Sequence, residues 1–269
     1  MMKLSPLFSR LVFIAAALQL AACSGTILVS ADGQASGASS QELAEPQDSV
    51  MKFSGQSGQT GLPKGWQFYR LAPYKRNTVY RLENDQGRTV LSANAQSAAS
   101  GLAVKLKPQS PKNAWLQWEW KAVGSIPTAD NAERATDDAP LRILIAFDGN
   151  KSKLPLKDRL AFEMASLISG QEMPYATLMY IWAGKGAIDN IIPNANSARI
   201  KMVVVDSGWD GVGEWRKHQR DLSADFLAAY GEAPGNLIGV GILTDTDNTH
   251  SEVKAFYGDI EIVRKSPKP

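Results

Sequence analysis

Trp115–Val123 reads WLQWEWKAV, and its alternation decides the fold. Along an extended chain successive side chains point to opposite faces. Leu116, Trp118 and Trp120 therefore share one face, while Glu119 and Lys121 share the other. A bulky apolar face backed by a charged one describes a strand with a core on one side only. Tryptophans two residues apart read as sandwich core. The same grammar recurs in LRILIAFD (141–148), where Leu141, Ile143, Ile145 and Phe147 oppose Arg142 and Asp148. In EWRKHQRD (214–221) Arg216, His218 and Arg220 line up against Trp215, Lys217 and Gln219. In ATLMYIW (176–182) Tyr180 and Trp182 fall on one side.

Further strand-like runs lie at 65–71, 78–84, 101–107, 198–206, 237–243 and 252–263, with turn-rich stretches such as NDQG and GEAPGN between many of them. Two short helices are expected. DRLAFEMASLISG (158–170) has Asp158 as its cap, with Leu160, Met164, Leu167 and Ile168 on one inward stripe. DLSADFLAAYG (221–231) has Asp221 or Ser223 as its cap, Phe226, Leu227 and Tyr230 inward, and Gly231 as the stop. Many short strands without long helices predict a mainly β chain: a jelly-roll-like antiparallel β-sandwich with one or two short covering helices.

The chain opens MMKLSPLFSRLVFIAAALQLAAC. Lys3 and Arg10 precede or flank an apolar stretch too short for a bilayer core of about 30 Å, so residues 1–22 read as a secretory signal. Leu20-Ala21-Ala22-Cys23 resembles a bacterial lipobox, which implies acylation of Cys23 and membrane attachment. Cys23 is the chain's only cysteine, and an odd cysteine in an exported protein calls for a special fate. Ser24, a non-acidic neighbour, implies delivery to the outer membrane. Residues 23–49, rich in Ser, Gly, Ala and Gln, bury too little to fold and read as a tether. One sandwich domain is expected over 50–264, and 265–269 as a frayed tail.

The sequence carries 29 Lys+Arg and 27 Asp+Glu; without Lys3 and Arg10 the two are equal. Neutrality excludes a nucleic-acid partner that needs a strong basic field. Two histidines, no G-x-S-x-G, no H-E-x-x-H, no cysteine pair and no glycine-rich nucleotide loop leave serine hydrolysis, catalytic zinc and nucleotide chemistry without support.

LPKGWQFY, WLQWEWK, DDAPLRILIAFDG, MPYATLMYIW, RIKMVVVDSG, WRKHQRDLSADFLAAYGEAPG, GILTDTDNT and YGDIEI follow one another in that order. Together they resemble the bacterial family known as domain of unknown function 3047, over about Leu62 to Val263. That resemblance brings little function with it, since the family's activity is not established. The early Gly-Trp strand and the final aromatic–Gly–Asp–Ile strand are also similar to the end strands of galactose-binding-like jelly rolls. By that likeness Asp259 would help hold a structural calcium.

TDTDNT (244–249) invites a metal reading. An EF-hand fails, because His250 and Phe256 stand where glycine and a carboxylate are needed. A looser calcium site would draw on Asp245, Asp247 or Asn248 together with the distant Asp259; the simpler reading is a hydrogen-bonded strand-end turn, and a ligand-facing loop is the third. If the polar faces of the 118, 142 and 216 strands meet, Glu119, Arg142 and Arg220 share a cleft for a saccharide or anionic envelope ligand. Asp138, Tyr180, Trp182 and Asp245 are further ligand candidates, and Trp209, in DSGWDGVG, is a candidate for stacking on a sugar ring. The expected function is non-catalytic binding. The alternatives are a glycan-processing enzyme with paired carboxylates, drawn from Glu119, Asp138, Asp148, Asp245 and Asp247, and a purely structural envelope protein.

Overall fold

The computed structural model describes residues 45–169 and 172–266. Cys23, the signal segment and most of the tether lie outside the described residues. Twelve strands and two α-helices occur among the described residues. They are β1 (Gln67–Arg70), β2 (Val79–Asp85), β3 (Arg88–Gln96), β4 (Ala99–Gln109), β5 (Ala114–Ala122), β6 (Ala139–Phe147), α1 (Leu156–Ser169), β7 (Ala176–Ala183), β8 (Ile191–Asn194), β9 (Ser197–Ser207), β10 (Arg216–Asp221), α2 (Leu222–Tyr230), β11 (Leu237–Asp245) and β12 (Glu252–Arg264).

These strands form two sheets, ordered β1-β4-β11-β6-β7-β9-β8 and β10-β5-β12-β3-β2. The alternating residues do what their spacing dictates. Leu116, Trp118 and Trp120 from one sheet meet Leu141, Ile143, Ile145, Phe147, Tyr180 and Trp182 from the other in one buried cluster. Pairing is antiparallel except between β7 and β9, which run parallel because β8 returns the chain along the outside edge. Pro193 sits in that edge strand, where its missing N–H costs no ladder bond. The sequence runs missed β3 and β8: the first is small and polar (RTVLSANAQ), the second is four residues long. Gln47 already pairs with β4, bonding Lys105 and Lys107, so packed chain begins before residue 50.

The helices depart from their expected faces. α2 is capped by Asp221, whose carboxylate accepts the Ser223 and Ala224 N–H groups, and Gly231 ends it at φ 69°. Phe226 is buried, but Leu227 points to solvent. α1 begins at Leu156, so Asp158 lies in its first turn. Leu160 and Met164, expected inward, are 51% and 58% exposed, and Leu156 is 61% exposed. The side chains of Leu167 and Ile168, the rest of the expected stripe, lie outside the described residues; α1 contacts β9, and Met179, Ile181, Met202 and Val204 on the outer face of β7 and β9 are buried. No described helix is long and apolar enough to cross a membrane.

Candidate functional site

The three residues expected to share a cleft are held apart, because their strands face different ways. Glu119 lies on the outer face of the five-stranded sheet, paired with Arg88. Beside it Lys121 pairs with Asp85 and Lys254 with Glu83, both at 2.8 Å. Arg88 covers the ring of Trp215 at 4.1 Å, and the Trp215 indole N–H donates to Asp85 at 2.7 Å. The hydrogen bond from Lys121 pulls the Asp85 carboxyl below its usual range. Gly258 lies at a bulge in β12, where a Cβ would stand 2.4 Å from the Glu119 side chain. The face is a layer of mutually paired charges around one tryptophan.

Arg142 stands on the outer face of the seven-stranded sheet, 2% exposed, at the end where TDTDNT turns. Its Nε donates to Asp245 at 3.0 Å and its Nη2 to Asp137 at 3.0 Å, while Nη1 contacts the sulfurs of Met179 and Met202. Burial opposes its charge, but Asp245 and Asp137 outweigh it and raise its pKa. Asp138 ties the turn: its oxygens accept the Asn248 and Thr249 N–H groups and the Thr249 hydroxyl. Burial pushes the Asp245 carboxyl up to about 7 against the pull of Arg142, with Asp138 and Asp137 adding to the rise.

Oxygens of Asp138, Asp245 and Asp247 lie within 4.8 Å of one another, close enough to hold a cation. Asp247 Oδ1 is buried with no partner among the described residues. The surroundings argue against a dication, because Arg142 donates directly to Asp245 and Lys75 lies 2.5 Å from Asp247. The expected calcium set is not assembled. Asp259 accepts the Ser54 N–H and hydroxyl instead, seven residues along β12 from Glu252, or about 23 Å at strand rise. Asn248 uses its amide to donate to the Arg134 carbonyl.

A different group forms where the sheets approach each other at the β10 edge. β10 pairs with β5 in a register that sets His218 opposite Trp118 and Arg216 opposite Trp120. Arg216, His218 and Arg220 all point inward, as their alternation dictates. Opposite them Asp206 is almost fully buried and accepts three donors: Trp120 Nε1 at 2.7 Å, His218 Nε2 at 2.8 Å and Arg216 Nη1 at 3.0 Å. His218 lies against the Trp118 ring at 4.9 Å, and Arg216 stands 5.0 Å over the Trp182 ring. Arg220 binds Asp225 and Asp189, which raises its pKa, and Tyr180 also donates to Asp225.

The sequence candidates Tyr180, Trp182 and Arg220 thus meet here, although the two aromatic rings are buried and offer no stacking face. Arg216 remains 37% exposed. Its Nε, and the Nε1 of buried Trp118, have no hydrogen-bond partner among the described residues. Unmatched buried donors are uncommon and mark places where a polar partner belongs.

Sequence reading missed Asp206. Plain alternation puts it with Val204, but the β7–β9 register slips between Ile181 and Trp182, and the bulge turns Asp206 inward beside Trp182. Trp209 is only half-buried, but it packs against the main cluster and against the smaller one of Ala95, Ala98, Ile126, Ala129 and Val253, so it anchors its loop. A shallow open depression of about 650 Å³ near the N-terminal loop is lined by Met51, Gln56, Ser57, Gln59, Thr60 and Lys64. Its Gln56 is spent on the loop's own backbone.

The sequence profile of the family described as "Protein of unknown function (DUF3047)" matches residues 64–261. The chain belongs to this family. No curated protein matches it. Among solved structures, the DUF3047 chain is similar to the family 11 carbohydrate-binding module from Clostridium thermocellum in complex with a β-1,3-1,4-mixed-linked tetrasaccharide. The identity is 10% and the TM-score 0.40, covering 82% of this chain and 97% of that one. It is also similar to the xyloglucanase domain of NopAA from Sinorhizobium fredii in complex with cellobiose, at 7% identity and TM-score 0.42, covering 77% and 97%. A cyclase from Fischerella sp. TAU stands at 11% identity and TM-score 0.36, covering 82% and 99%. These likenesses concern the fold.

Proposed function

We propose that this DUF3047 chain is an exported lipoprotein, anchored in the outer membrane through Cys23, whose sandwich binds an acidic saccharide or a similar polar, anionic envelope ligand without turning it over. The observation that carries the reading is the β10 edge. There Arg216 is accessible, and two buried donors, Arg216 Nε and Trp118 Nε1, lack acceptors among the described residues. A carboxylate or phosphate suits a guanidinium fork, and a ring hydroxyl or carbonyl suits the indole N–H. The neighbouring acids are already engaged: Asp206 with three donors, Asp225 with Arg220 and Tyr180. That favours recognition over acid–base work.

The test is calorimetry and a glycan array with the chain from Ser24 onward. Arg216→Ala and Trp118→Phe are each expected to weaken binding by tenfold or more, in line with roughly 1–3 kcal/mol for a hydrogen bond to a charged or buried group. Affinity for neutral glycans alone, or binding unchanged in both variants, would refute the assignment. Acylation is checked separately by the mass of the native protein and its loss from membranes in Cys23→Ser.

One observation favours a catalytic reading. Asp206 holds His218 Nε2 at 2.8 Å, a carboxylate contact that fixes the orientation of an imidazole able to serve in acid–base work. Turnover of an envelope glycan that disappears in His218→Gln, with ligand affinity kept, would establish it.

A further inference from the structure

Leu156, Leu160 and Met164 of α1 are left uncovered among the described residues. Leu156, Leu160 and Met164 recur every four residues, so they lie on one helix face, about 12 Å from end to end. All three are more than half exposed. Exposed Lys153, Lys157 and Arg159 flank them, against Asp158 and Glu163, and Lys151 pairs with Glu172. Lys157 lies along one edge of the stripe and Arg159 along the other, with Glu163, seven residues from Leu156, between that second edge and the stripe. An apolar stripe flanked by basic side chains is a pattern of a helix that lies in a membrane interface.

The fold says where this stripe sits relative to the start of the packed chain. Gln47 is held between Lys105 and Lys107 near the end of β4. Gln109 at that end pairs with Leu237 of β11, and Leu237 with Phe147 of β6. The chain leaves β6 at Phe147 and enters α1 nine residues later. With strands about 4.8 Å apart, the entry of the tether and the approach to α1 share one end of the sandwich. The 22 residue-to-residue steps from Cys23 to Glu45 can reach at most about 75 Å.

We propose that the Leu156–Leu160–Met164 face of α1 docks on the anionic lipid surface to which the chain is tethered, fixing the domain's orientation and leaving the β10 edge to receive ligand. The placement rests on the lipid-anchored reading above, whereas the docking itself is tested without acylation. The chain from Ser24 is mixed with vesicles of phosphatidylcholine alone or with 30% phosphatidylglycerol, and sedimented. Binding is expected to the anionic vesicles and to fall at least tenfold in Leu160→Glu/Met164→Glu. These exposed positions leave the melting curve unchanged. Lys157→Glu/Arg159→Glu is expected to abolish the dependence on phosphatidylglycerol and salt. In a chain without Cys23, Met164→Cys is the sole thiol; a polarity-sensitive dye there is expected to shift blue on anionic vesicles only. No sedimentation, or equal sedimentation of the double glutamate variant, overturns the proposal. A dimer in sedimentation equilibrium that the double glutamate variant dissolves assigns the face to a second copy instead.

Discussion

Asp245 shows how far a single side chain departs from what its letter implies. TDTDNT reads as an acid-rich metal loop, yet its first aspartate is walled in, shares Arg142 with Asp137, and has its pKa pushed up to about 7. The folded chain therefore holds a proton that the unfolded chain has released between about pH 4 and 7. Stability from this group is greatest at the acid end of that window and declines as pH rises through it. Thermal melts should show a falling midpoint between pH 5 and pH 8, and Asp245→Asn, which mimics the protonated acid, should flatten the slope. A chelator should leave the midpoint in place, because Arg142 and Lys75 already face these acids. Alternation made Arg216, His218 and Arg220 legible as one row, but not what they face. Asp206 was hidden by a register slip that no periodicity records.

At the scale of elements, local chemistry fixed α2 and misjudged α1. The α2 cap is satisfied within its own turn, so Asp221 and Gly231 were readable. Asp221→Ala should cost about 1 kcal/mol, lowering the melting midpoint by roughly 2–4 °C for a domain of this size. The orientation of α1 depends on a surface its own sequence cannot reveal. Leu160 and Met164 stay exposed although α1 contacts β9 and Met179, Ile181, Met202 and Val204 beside it are buried, so which face the helix turns to the sheet is set by that contact and not by its own pattern. The β12 bulge is a second element-scale device. Gly258→Ala would drive a methyl group into Glu119, so Arg88 should lose its partner and Trp215 fluorescence should change while the core stays folded.

For the whole molecule, the two-sheet plan followed from side-chain periodicity, and the relation between faces did not. Period-two patterns say which residues look inward from each strand, but not which strand of the other sheet they meet. That is why Glu119, Arg142 and Arg220, all polar on half-apolar strands, were expected in one cleft and stand on three separate surfaces.

Strand order carries a consequence for assembly. β11 joins β4 to β6, and β12 joins β5 to β3, so each sheet is bridged by one of the last two described strands. Without residues 237–264 the larger layer falls into β1–β4 and β6–β7–β9–β8, and the smaller into β10–β5 and β3–β2, so these two segments weld each layer into one sheet.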